Sequence, residues 1–190
     1  MPEEPEIDTD SLRESIHEAV SDSLLRNIAL TTAMFAALGA VAALRAGGTV
    51  NEALVLKTES GRLQAEASDQ WAYYQAKGIK GNIQEASRQA WLASGKTPPA
   101  NIEPSIQRYA AEQKEIDHAA REKEHERDEK SNEADELLKR HHRFANSVAL
   151  IQVSIALGAV AALTRNRLIW LGSVTLGVIG AGLFIVTLVR

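Results

Sequence analysis

Three stretches of this chain carry no charged side chain: NIALTTAMFAALGAVAAL at 27–44, FANSVALIQVSIALGAVAALT at 144–164 and LIWLGSVTLGVIGAGLFIVTLV at 168–189. Each reaches the roughly 17–25 residues that a helix needs to cross hydrocarbon. Because lipid offers no partner to a free amide or carbonyl, such a segment must be helical from end to end, its glycines included. The expectation is an all-α chain with three transmembrane helices. The second and third are separated only by Arg165, Asn166 and Arg167 and therefore form a tight helical hairpin. The apolar residues, 45% of the chain, are collected in these blocks, and what remains is too polar to bury a core of its own.

Residues 1–26 hold eight acids against Arg13 and Arg26. Within this acidic tail Leu12, Ile16, Val20 and Leu24 recur at a spacing of four, which predicts a short amphipathic helix running into the first span, with Asp10 or Ser11 as its cap. A cleaved signal peptide would need a short basic start in place of this long acidic one. The region after Arg45 holds seventeen acids and fifteen bases up to Arg143, without the one-sided basic face of a nucleic-acid binder. Zero cysteines exclude disulfides, thiolate metal sites and a cysteine nucleophile.

Residues 45–143 read as a long polar helical hairpin, coiled-coil-like in its patterning. After a break at Gly47-Gly48, Thr49 and Glu52 stand at the spacing of a capping box. An apolar series follows through Leu56, Leu63, Ala67, Trp71, Tyr74, Ile79, Ile83, Ala86 and Ala90. The segment GKTPPANIEP, 95–104, supplies the turn, with Pro104 suited to the first turn of the second helix. That helix carries Ile106, Tyr109, Ala110, Ile116 and Ala120 on its seam before it turns almost wholly charged in REKEHERDEK, 121–130. Acid-first pairs four apart (Asp117 with Arg121, Glu126 with Lys130, Asp135 with Lys139, Glu136 with Arg140) support it by about 0.2–0.5 kcal/mol each. Arms of about 45 and 40 residues give rods on the order of 60 Å.

The stretch NEALVLKTESGRLQAEASDQWAYYQAKGIKGN, 51–82, and within it SDQWAYYQAK, 68–77, closely resembles the bacterial family known as domain of unknown function 4337. RHHRFANSVALIQVSIAL, 140–157, is similar to that family's entry into its second span. The resemblance implies a small, multi-pass bacterial inner-membrane protein of three spans with a helical hairpin. It brings no catalytic residue.

Trp71 and Tyr74 share a helical face and are expected to pack within the hairpin or between chains, while Tyr73 points elsewhere. Trp71 lies 27 residues beyond Leu44, roughly 40 Å along a straight helix and too far for a headgroup aromatic. Together with Tyr73, Gly78 and Gly81 hint at a second contact surface, since each weakens a helix by about 1 kcal/mol unless something packs closely there. Glu115 with His118, and Glu122 with His125, have the Glu-x-x-His spacing of di-iron bundles, but both lie on one charged arm where a di-iron site draws on several helices. They read as a solvated face, and His141 and His142 as boundary residues. No nucleophile elbow, phosphate loop or zinc-helix motif is present, so no catalytic, cofactor or metal site is expected.

The string ALGAVAAL occurs twice, at 37–44 and 156–163. It offers Gly39 with Ala43 and Gly158 with Ala162 at the small-xxx-small spacing that lets membrane helices approach closely. The two spans run antiparallel, so Gly39 and Gly158 differ in depth by roughly 13 Å and should not meet within one chain. Each is then expected to pack on the third span, which has Ser173, Gly177 and Ala181, or on a second copy. The function expected is a non-enzymatic, oligomeric inner-membrane anchor or scaffold that projects its hairpin for self-association or partner binding, with the lipid bilayer as its other partner and no nucleic acid. The alternative is an oligomeric channel or transporter component lined by small neutral residues, although no span carries an ionisable residue. Bases near the membrane favour a cytoplasmic hairpin: Arg45, Lys57, Lys139, Arg140, Arg143 and Arg190 on its side, against Arg13, Arg26, Arg165 and Arg167.

Overall fold

The computed structural model describes the backbone of residues 9–189 and the side chains of Arg13 and of residues 23–189. Every element in this range is an α-helix: α1 (Thr9–Ala93), α2 (Ile102–Thr164) and α3 (Arg167–Val189). Each contains a stretch long and apolar enough to cross a membrane. The amphipathic stripe expected over Leu12, Ile16 and Val20, and the side chains of Asp10 and Ser11, lie outside the description. Two compact units result, one from the chain up to Val50 together with Leu138 onward, the other from Asn51–Leu137.

The first unit packs segments of all three helices. Its buried positions on α1 are Ile28, Gly39, Ala42 and Ala46, on α2 Phe144, Ser147, Ile151, Ser154, Gly158 and Ala161, and on α3 Ser173, Gly177, Gly180, Phe184 and Thr187. Steps of three and four recur along each set, the spacing at which one helix seam faces its neighbours. Phe144 and Phe184 meet at 5.7 Å between ring centroids and, with Ala42 and Ala46, form a buried cluster.

The Gly47-Gly48 pair does not break the chain. α1 runs through it, and Thr49 donates its hydroxyl back to the Ala46 carbonyl at 2.9 Å, the bond of a mid-helix threonine rather than of a cap. Two glycines cost a helix about 2 kcal/mol relative to alanine, too little to end one that is already nucleated and continues on both sides.

The second unit is the hairpin. α1 closes at Ala93; Gly95, at φ +70°, supplies the left-handed residue that ends it, and its amide donates to the Leu92 carbonyl at 3.0 Å. α2 opens at Ile102, with Pro104 in its first turn. The arms run antiparallel, shown by Lys57 reaching Asp135 at 2.8 Å, Trp71 reaching Glu124 at 2.9 Å and Lys77 reaching Glu112 at 2.6 Å. One run of buried or half-buried positions on α1, Ala53, Leu56, Ser60, Leu63, Ala67, Gln70, Tyr74, Lys77, Gly81, Gln84 and Arg88, alternates steps of three and four without a break, with Lys57, Trp71 and Gly78 half-buried beside it.

This seam corrects the expected apolar series beyond Tyr74. Ile79 and Ile83 are 60% and 59% exposed, and Ala86 and Ala90 are exposed too. A residue five positions past Tyr74 lies about 140° around the helix, away from α2. Ala110 on the opposite arm is likewise exposed, whereas Ile116 and Ala120 are buried.

The charged arm differs in its pairing. Asp117 and Arg121 pair as expected at 3.0 Å, but Glu126 takes Lys123 at 2.7 Å, Lys130 takes Glu133 at 3.4 Å, and Asp135 crosses to Lys57. Partners three apart or on the facing arm compete with those four apart, and exposed pairs of every kind are worth about the same, at most about 1 kcal/mol.

Candidate interaction surfaces

In the apolar unit the small residues allow backbones to approach, and hydroxyls fasten the approach. Ser147 donates to the Gly180 carbonyl at 2.6 Å and Ser173 to the Ser154 carbonyl at 2.7 Å, so α2 and α3 are bonded side chain to backbone at two levels. Trp170 donates its indole N–H to the Thr31 hydroxyl at 3.2 Å, joining α3 to α1. Near the other end His141 Nδ1 lies 2.9 Å from the Ala46 carbonyl.

Gly39 and Gly158 do not touch one another. A β-carbon at Gly158 would stand 2.6 Å from Thr32 Oγ1 and 3.4 Å from Ser173 Oγ, and one at Gly39 would stand 3.1 Å from Ile151. Gly158 therefore has the third helix as a neighbour, along with the first. Gly39 departs from the expectation: its neighbour is α2 of the same chain, because Ile151, seven residues past Phe144, stands at nearly the depth of Gly39, five residues before Leu44. Gly177 is the tightest position, where a β-carbon would run into the Phe35 ring and lie 2.6 Å from Ser154 Oγ. Of the other expected packing residues Ser173 is buried, Ala162 and Ala181 are half-buried, and Ala43 is exposed. The buried partner of Gly39 on its own helix is Ala42. Gly180, a small position beside the expected three, stands on the seam run 173, 177, 180, 184, 187 itself, and Ser147 and Ile151 are packing residues that no small-xxx-small spacing marks.

The outer surface of the same unit is aliphatic. Leu30, Met34, Leu163, Leu168 and Val189 are 62–87% exposed. Among these residues stand amides: Asn146 is exposed, and Gln152, eight residues after Phe144 and twelve before Thr164, is exposed and makes no hydrogen bond among the described residues. Ala149, Ala156 and Ala159 lie beside it along the helix, also exposed.

In the hairpin Trp71 and Tyr74 are half-buried and meet edge to face at 5.6 Å. Tyr73 is 50% exposed and turned outward, with Lys77 Nζ 4.8 Å from its ring centroid. Lys77 also holds Glu112, whose carboxyl is kept below its usual range first by that hydrogen bond and then by the positive charges of Lys77, Arg108 and Lys80. Gly78 lies against the Gln113 amide and Gly81 against Tyr109, so both glycines serve the α1–α2 contact. His118, Glu122, His125 and Glu129 share one exposed side of α2. Among the described residues no three such ligands are placed to hold a metal ion.

The profile of the family described as a domain of unknown function (DUF4337) matches residues 24–190, which takes in both units. No curated protein and no solved structure matches the chain.

Proposed function

Starting from the family to which this chain belongs, that of domain of unknown function 4337, we propose a non-enzymatic, oligomeric anchor of the bacterial inner membrane that projects a coiled-coil-like hairpin for self-association or partner binding. The observation that carries this reading is the reversed pattern of the apolar unit. Serines and glycines of all three helices point inward, while most of its leucines and valines and Met34 face out. Water penalises that surface by about 25 cal/mol per Å²; a bilayer does not, and in it helix association rests on close packing and interhelical hydrogen bonds, both of which this unit has.

Oligomerisation draws support from Gln152. An amide left without partners in hydrocarbon costs several kcal/mol, and a second copy brings an amide with a matching donor and acceptor. The assembled-pore reading has less to rest on, because Ser147 and Ser173 spend their hydroxyls on neighbouring carbonyls. For the hairpin the cytoplasmic side is favoured by the bases at its foot, Arg45, Lys139, Arg140 and Arg143.

The test is extraction and labelling of the full chain in cells. The anchor reading expects the protein to stay with membranes through an alkaline carbonate wash and to leave only with detergent, as an assembly larger than one chain. A cysteine placed at Lys96 should escape an impermeant thiol reagent on intact cells. Release by carbonate would defeat the membrane assignment; labelling at Lys96 would reverse the orientation.

A further inference from the structure

Beyond Trp71, α1 has two seams. One faces α2 and is largely polar: Tyr74, Lys77, Gly81, Gln84 and Arg88. The other lies two residues round the helix, on the far side, and consists of Ala72, Ala76, Ile79, Ile83, Ala86 and Ala90, all exposed. Its steps of four and three repeat without a fault over about 27 Å of helix. This is the spacing of a helix that receives a second helix knob into hole, yet nothing among the described residues covers it.

The occupant is identified by the order of side-chain sizes. The stripe reads Ala, Ala, Ile, Ile, Ala, Ala and is the same in both directions about Gly81. Ile79 and Ile83 are also equally exposed, at 60% and 59%. Run parallel, two copies place each residue on itself. Run antiparallel about Gly81, they place Ile79 on Ile83 and alanine on alanine. A second copy of the chain therefore matches this face in either sense without further adjustment, which is the requirement of an isologous contact.

The flanks agree. The positions beside the stripe are Tyr73, Gln75, Lys80, Asn82, Ser87 and Gln89, with one charge among six, on a hairpin whose other arm carries ten charged or histidine side chains in a row at 121–130. Depletion of charge with an aromatic at the edge is the composition of an interface centre, and like charges do not confront one another when the face meets its copy.

We propose that this stripe of α1 is the surface through which the hairpins of two copies join. The inference deepens the anchor reading and rests on its premise that the hairpin lies in water, where exposed isoleucines need a cover.

The chain has no cysteine, so single cysteines give a clean test in the full-length, membrane-extracted protein. Ile83→Cys alone, or mixed with Ile79→Cys, should form an intermolecular disulfide under mild oxidation, at least about tenfold more than Lys114→Cys, which lies on the exposed side of the opposite arm. Self-linking at Ile83 supports the parallel sense of the contact and linking only in the mixture supports the antiparallel one. The double variant Ile79→Ser, Ile83→Ser should raise the protein concentration at half-dissociation in mild detergent by about tenfold with helix content unchanged. Linking no stronger than at Lys114→Cys, in either arrangement, would overturn the proposal whatever holds the spans together. Retention in carbonate-washed membranes, scored on the same samples, tells that failure from a failure of the anchor reading.

Discussion

Buried positions recur at steps of three and four in the apolar unit and in the hairpin alike, yet the two regions fill those positions by opposite rules. In the apolar unit the seam is mostly small or hydroxylated around Phe144, Ile151 and Phe184 and the outside is aliphatic, so on the anchor reading much of the contact energy comes from backbones brought close together. In the hairpin the seam begins with Ala53, Ser60, Leu63 and Ala67, then passes to Lys77, Gln84 and Arg88, while charge occupies much of the outside. The difference teaches that a heptad spacing fixes which residues meet but not what drives them together. In one region tight fit dominates; in the other a modest apolar core is extended by ion pairs and an aromatic pair.

The sharpest way to break this contrast is to add volume to glycines of α3. Gly177→Leu must displace the Phe35 ring and the Ser154 hydroxyl, and is expected to cost about 3 kcal/mol. Gly182→Leu enters open space and should leave the melting temperature in detergent nearly unchanged. Equal effects at the two positions would mean that close fit does not govern this unit.

In the hairpin the corresponding comparison is between neighbouring aromatics. Trp71→Ala removes a half-buried ring, its edge contact with Tyr74 and the hydrogen bond to Glu124, an expected loss of about 2 kcal/mol. Tyr73→Ala, on the outward side, should lose about 0.5 kcal/mol. Thermal unfolding followed by helix signal separates the two.

Hydroxyl removal gives a smaller effect. Ser147→Ala and Ser173→Ala each take one hydrogen bond from the α2–α3 contact, about 0.6 kcal/mol apiece by the average found inside membranes. A loss several times larger would show that polar bonding rather than fit holds this unit together.

The smallest effect belongs to pH. Glu112 has a folded pKa depressed below the ordinary carboxylate range, chiefly by its hydrogen bond with Lys77. Its contribution to stability is present above the unfolded pKa and is lost as pH falls through the folded one. On the acid side the ion pair between Lys77 and Glu112 should therefore fade as Glu112 takes up a proton, and Glu112→Gln should flatten that part of the stability profile. The melting temperature of parent and variant across about pH 2–6 checks this.

The apolar blocks and the turn are legible because both are written locally: an uncharged run of twenty residues, and two adjacent prolines with a glycine close before them. The edge contact of Trp71 with Tyr74 is legible for the same reason, since three residues apart on a helix is one face. What escapes sequence reading depends on competition. Gly47-Gly48 reads as a stop only if the helical residues around it are left out of the balance. Ile79 and Ile83 read as the seam because periodicity detects an apolar stripe without saying which of two faces the neighbouring helix takes. Gly39 finds Ile151 because Ile151, not Gly158, is the α2 residue at its depth, a pairing that the repeated string does not bring up.

Two residues separate α2 from α3, and the first of them, Arg165, sits at φ +50°, a conformation that costs an L-residue about 1–2 kcal/mol. Asn166 accepts the Leu168 amide at 2.9 Å and so starts α3 at once. A reversal this abrupt ties the biogenesis of the two helices together. With no slack between them, α3 cannot wait in water while α2 finds its place, and on the anchor reading the pair must enter the bilayer as a single antiparallel wedge. Between residues 144 and 189 the guanidinium groups of Arg165 and Arg167 are the only charges and travel at the leading edge, and at about 2.5–3.5 kcal/mol each at mid-membrane they make withdrawal of the completed wedge as difficult as its entry.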